Sequence, residues 1–118
     1  MNQIADITES ELWIIRTTLE QRYGEPVEPM LADTEVRLNP YSSELSVCPA
    51  TYWEKGGCHF VVCKTGDHNY RCQFYYRGHE MFGPDVEEFD DLSECMVTLL
   101  QVQADHAATR EGAGTEST

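Results

Sequence analysis

Residues 52–62 read Tyr52-Trp53-Glu54-Lys55-Gly56-Gly57-Cys58-His59-Phe60-Val61-Val62. Two adjacent glycines between alternating runs are a strong hairpin signal, because both loop residues of such a turn take positive φ. With Gly56-Gly57 as the loop, Lys55 pairs with Cys58 and Trp53 faces Phe60. A second turn signal, Thr65-Gly66-Asp67-His68-Asn69, leads into another alternating run. Pairing Val62 with Cys72 across it brings Phe60 opposite Phe74. Side chains alternate along a strand, so this register collects Trp53, Cys58, Phe60, Val62, Cys72, Phe74 and Tyr76 on one face, the expected core. Tyr52, His59, Val61, Cys63, Arg71, Gln73, Tyr75 and Arg77 fall on the other face.

Working outward, strand-like runs occupy about 44–54, 58–64 and 69–77, with a shorter one over Glu35–Asn39. Pro49 marks an edge position or a bulge, since proline has no amide to give a ladder. Upstream, Thr8-Glu9-Ser10-Glu11 is a capping box, and Leu12, Ile15, Leu19 and Tyr23 fall on one face of a helix from about Glu9 to Tyr23. Gly24 ends it. Residues 24–34, with Pro26 and Pro29, read as a connecting loop. Gly78–Gly83 suits a short strand or turn before Gly83-Pro84. Asp90 or Asp91 is a good N-cap for a second helix reaching about Thr109, with Leu92, Cys95, Met96, Leu99 and Val102 as its apolar stripe. The expected fold is α+β: N-terminal helix, antiparallel meander of about four strands and C-terminal helix, in a two-layer sandwich. Residues 1–110 form a single domain, and 111–118, which have nothing to bury, form a disordered acidic tail.

The chain has 118 residues, 41% of them hydrophobic and 25% charged, enough for one domain with its own core. No apolar run approaches the ~20 residues of a membrane span. Met1–Asp6 lacks the basic and apolar regions of a signal peptide, so a cytoplasmic location is expected. In that reducing compartment the five cysteines (48, 58, 63, 72 and 95) read as small buried hydrophobes.

Charge is segregated. Residues 1–54 carry a net −7, residues 55–77 a net +3 and residues 78–118 a net −9, within a total of −13. An acidic body repels nucleic acid and anionic membranes and attracts basic protein surfaces. Asp85 to Glu94 holds six acids in ten residues, and Gly78 to Thr109 contains no Lys or Arg.

Constellations for chemistry are weak. Cys58, Cys63, His68 and Cys72 have zinc-ligand chemistry, but their spacing differs from a zinc knuckle at both ends, and Cys58 and Cys63 fall on opposite strand faces. Cys95 sits in a helix start behind Asp90, Asp91 and Glu94, whose charge would raise its pKa, which disfavours a thiolate nucleophile. The paired carboxylates read as a solvated helix cap, and no Gly-rich phosphate loop is present. No cofactor and no enzymatic activity are expected.

Two surfaces remain as binding candidates. Asp85, Glu87, Glu88, Asp90, Asp91 and Glu94 form an acidic patch able to present carboxylates as a nucleic acid presents phosphates. Tyr52, Arg71, Tyr75 and Arg77 form an aromatic and basic face of the kind enriched at protein interfaces. The net charge opposes direct nucleic-acid binding by that face. The leading expectation is therefore an acidic protein-binding module, an inhibitor or modulator of a partner with a basic, nucleic-acid-binding surface. The alternative is a homo-oligomeric scaffold, or a chaperone-like or immunity-like protein, using the exposed sheet face. A small zinc-binding protein ranks third. In type the chain resembles many small proteins of phages, plasmids and other mobile elements, a likeness carried by no family motif.

Overall fold

The computed structural model describes residues 4–37, 41–76, 81–85 and 88–116, with side chains through Thr109. The elements follow in the order α1 (Glu9–Tyr23), β1 (Met30–Val36), β2 (Ser46–Lys55), β3 (Cys58–Gly66), β4 (Asn69–Tyr75) and α2 (Leu92–Glu116). The strands form one antiparallel sheet in the order β1-β2-β3-β4. Helix, meander, helix is the α+β architecture expected from the sequence.

The hairpin register is the expected one: Lys55 pairs with Cys58, Trp53 with Phe60, Phe60 with Phe74 and Val62 with Cys72. Gly56 and Gly57 take φ values of 62° and 81°, which an L side chain adopts only at a cost. Both helices cover the face of Trp53, Phe60 and Phe74. Ile15 and Leu19 of α1 and Leu92, Cys95, Met96 and Leu99 of α2 join that face in one buried cluster. Phe60 stacks on Trp53 at 5.2 Å between ring centroids, and Phe74 on Phe82 at 5.5 Å.

Helix α1 starts and stops as its caps dictate. Thr8 Oγ1 accepts from the Glu11 amide at 3.1 Å, Glu11 Oε1 accepts from the Thr8 amide at 2.8 Å, and Gly24 closes the helix in the left-handed region. For α2, Asp91 rather than Asp90 is the cap, its Oδ1 accepting from the Ser93 amide at 3.2 Å.

Two boundaries differ from the sequence reading. Strand β1 begins at Met30, inside the stretch read as loop, because pairing of Met30 with Tyr52 through Val36 with Ser46 supplies the backbone partners that Met-Leu-Ala-Asp does not advertise by alternation. Residues 38–40, the end of the expected strand, lie outside the described residues. Helix α2 runs to Glu116 instead of ending near Thr109, since a nucleated helix propagates at about one hydrogen bond per added residue. Pro49 lies within β2, but the β2–β3 register starts at Ala50, so β2 has only β1 beside it at that point. The edge expectation for Pro49 is met locally, inside an otherwise central strand.

The outer border of β4 is closed by the chain itself. Phe82 exchanges both backbone hydrogen bonds with Phe74, and Phe89 does so with Tyr70, all four at 2.8 Å. On the opposite border, β1 has β2 alone as a neighbour among the described residues. No described helix is long and apolar enough to cross a membrane.

Candidate protein-binding surfaces

The face away from the helices carries the aromatic residues read from the sequence. Tyr75 sits directly across from His59, and their rings stack at 4.9 Å with 11° between planes. Tyr52, diagonal to His59, stacks on its other side at 5.8 Å and its hydroxyl hydrogen-bonds His59 Nδ1. Burial, with the neighbouring Tyr75 and Glu54, raises the Tyr52 pKa, so the phenol keeps its proton at neutral pH. The three half-buried rings form a flat ladder across β2, β3 and β4.

Part of this face is less open than the alternation implies. Cys48, Ala50 and Cys63 are buried in a second small cluster, packed by Ile4, Val36 and Val61. Beside it, Val36, Val61, Cys63, Arg71, Gln73 and Met81 border a concavity of about 340 Å³.

The described carboxylates of the acidic run have different surroundings. Phe89 is 6% exposed and pins the segment to Tyr70, which divides the carboxylates. Glu88 accepts from Thr65 Oγ1 at 2.8 Å and from Arg71 Nε at 3.2 Å. The structure thus joins one member of each predicted surface, Arg71 and Glu88, into a single ion pair. Asp91 is committed to capping α2. Asp85, Asp90 and Glu94 are exposed, and none of their carboxylates makes a hydrogen bond or ion pair among the described residues. Asn69, Glu88, Phe89, Asp90 and Glu94 border a shallow polar concavity of about 300 Å³. Glu87 and Arg77 lie outside the described residues.

The described cations of the middle block are turned onto carboxylates. Lys55 pairs with Glu25 and sits 5.4 Å from the Tyr23 ring, Lys64 Nζ lies 2.9 Å from Glu11 Oε1, and Arg71 is held by Glu88. Arg16 pairs with Glu28 at 2.5 Å. The described cations of the basic block, Lys55, Lys64 and Arg71, therefore serve as internal partners.

Sequence reasoning missed one feature altogether: a buried polar network under α1. Glu11 is only 8% exposed, and its carboxylate accepts from the Thr8 amide, from Lys64 and from the Tyr70 hydroxyl. Lys64 Nζ also donates to the Asp6 carbonyl at 3.1 Å. Burial pushes the Glu11 pKa up, but the hydrogen bonds from Tyr70, Thr8 and Lys64 outweigh it and the net direction is down. Burial and the same carboxylate raise Tyr70. A signal was present. Lys64 is in phase with Phe60 and Val62 on the core face, where a cation needs an anionic partner.

The thiols are dispersed. Cys58 and Cys72 belong to the core face, Cys63 to the opposite face and His68 to the β3–β4 turn, so these four residues of zinc-ligand chemistry are not brought together. Burial, and then Cys48, push Cys63 up to about 11. Cys95 is raised as the sequence implied, but by its hydrogen bond with Cys72 and by burial, not by the carboxylates of its helix start. No family model matches this chain, and neither a curated protein nor a solved structure matches it.

Proposed function

We propose that this protein is an acidic binding module that engages a partner with a basic surface, acting as an inhibitor or modulator of that partner. The observation that carries the reading is the pairing of four of the described cations. Lys55, Lys64, Arg71 and Arg16 are each matched to a carboxylate of the chain, while Asp85, Asp90 and Glu94 stand exposed. A molecule of net charge −13 thus keeps a surface field that steers basic proteins and repels polyanions. Competition with nucleic acid for a basic groove is the mode of inhibition this charge favours.

The test is affinity capture from the native host lysate, eluted in salt steps, with wild type beside the triple reversal Asp85→Lys, Asp90→Lys, Glu94→Lys. These three positions are chosen because Glu88 and Asp91 serve the fold and their reversal would confound the result. Capture of a basic protein that the reversal abolishes supports the proposal. Capture unaffected by both salt and reversal rejects it.

A second reading, self-association through the aromatic sheet face, draws support from the half-exposed Tyr52, Val61 and Tyr75 flanked by the exposed Met30 and Met81. Apolar burial is not screened by salt, so an oligomer of that kind would persist in size-exclusion chromatography at high ionic strength.

A further inference from the structure

The two borders of the sheet are unequal. The β4 border is closed by the Phe82 and Phe89 bridges, whereas β1 offers its outer backbone row with no strand beside it among the described residues. Natural edge strands are guarded by proline, bulges, lysine or extreme shortness. Strand β1 has no proline, bulge or lysine and is not short: its seven residues, Met30-Leu31-Ala32-Asp33-Thr34-Glu35-Val36, pair with β2 in unbroken register, and its only charged guards are the carboxylates Asp33 and Glu35, which repel acidic strands and not basic ones. Met30 and Leu31 are 63% and 60% exposed.

Alongside this border runs a groove of about 360 Å³ bounded by Asp6, Ile7, Leu31, Asp33, Pro49 and Ala50. Its lining mixes the apolar Ile7, Leu31, Pro49 and Ala50 with two exposed carboxylates, Asp6 and Asp33. The Asp6 side is set in place from within, since Lys64 donates to the Asp6 carbonyl while bound to Glu11 at the start of α1. A groove that pairs apolar side chains with two carboxylates suits the aliphatic stem and cationic head of lysine or arginine.

We infer that β1 and the Asp6–Asp33 groove form a strand-addition site for an extended basic segment of the partner protein. The segment adds along β1 by main-chain hydrogen bonds, and one Lys or Arg enters the groove while alternate residues rest on Leu31. A second copy of this chain is a poor occupant. Antiparallel self-pairing centred on Asp33 would set that carboxylate against its own copy, between two bodies of charge −13. The inference rests on the basic-partner reading above and specifies where and how the partner binds.

The experiment uses short synthetic peptides that alternate Lys or Arg with Val or Thr, beside the same peptides with alternate amides N-methylated. Binding is followed by fluorescence anisotropy and by amide hydrogen exchange of the full chain. The expected result is salt-sensitive binding that slows exchange in β1, is lost on N-methylation, and weakens about tenfold or more in Asp33→Lys, as expected for one charge-assisted contact. Asp33 is exposed, so this variant should fold, and its melting curve confirms that directly. Salt-sensitive binding that ignores N-methylation and Asp33→Lys but is abolished by the Asp85, Asp90 and Glu94 reversal overturns the β1 site and leaves the basic-partner reading standing. No binding of any basic peptide, with no basic protein captured from lysate, overturns both.

Discussion

Lys64 Nζ lies 2.9 Å from Glu11 Oε1, and the lysine side chain is 4% exposed. The pair joins β3 to the first turn of α1 across 53 residues of chain, beneath the Tyr70 hydroxyl. Two charges withdrawn from water are tolerated there because the carboxylate accepts three hydrogen bonds and the amine gives one to Glu11 and one to the Asp6 carbonyl. Removing one partner leaves the other charged and uncompensated. Lys64→Met should therefore cost about 3–5 kcal/mol, measured by chemical denaturation. The double variant Lys64→Met, Glu11→Leu should lose less than the single one, because no orphan charge remains.

The same network sets the pH dependence of stability. Glu11 has a folded-state pKa below its unfolded value, so its contribution is fully present above the ordinary carboxylate range, about pH 4–5, and fades as pH falls through the depressed value. Tyr70 acts at the other end. Its pKa is raised, so above about pH 10 the unfolded chain ionises while the folded one does not, and stability falls. Tyr70→Phe should flatten that alkaline limb in melts recorded across pH.

Phe89 anchors the acidic segment to the β4 border, so Phe89→Ala should cost about 3–5 kcal/mol. The loss should be visible in the melting temperature and in faster amide exchange at Tyr70 and Phe89, whose backbones exchange both hydrogen bonds. Arg71→Ala, which breaks a partly exposed pair with Glu88, should cost only about 0–1 kcal/mol. The contrast separates the apolar anchor from the ion pair beside it.

Gly57, at φ 81°, has nothing within 4 Å of the position a Cβ would take. Gly57→Ala should thus cost about 1–2 kcal/mol from backbone conformation alone, with no change in the β2–β3 register. Equilibrium unfolding measures the cost, and cross-strand contacts between Trp53 and Phe60 by NMR report the register.

Thiol reactivity should follow burial. Cys63, pushed up to about 11, and Cys95, raised by Cys72 and by burial, should resist alkylation at pH 8 in the native protein. Cys72, the most accessible of the five, should be labelled first. Timed labelling with peptide mass mapping gives the order.

What the sequence determined by itself is what short-range chemistry controls. The Thr8–Glu11 capping box with Gly24 bounds α1, and Gly56-Gly57 sets the hairpin and, through strand alternation, the whole Trp53–Phe60–Phe74 face. The net charge and its clustering were equally plain. The tertiary structure decided everything that required distant partners. Strand β1 starts at Met30 because β2 is there to pair with it, and local alternation carries no trace of that. Arg71 and Glu88, assigned to separate surfaces from the sequence, neutralise each other because Phe89 docks the acidic segment on β4. Lys64 finds Glu11 only once α1 lies across β3, since a charge pair depends on separation in space and not along the chain. For the same reason the described acids of the run, neighbours in sequence, divide in the fold into a salt-bridge partner, Glu88, a helix cap, Asp91, and three further exposed carboxylates, Asp85, Asp90 and Glu94.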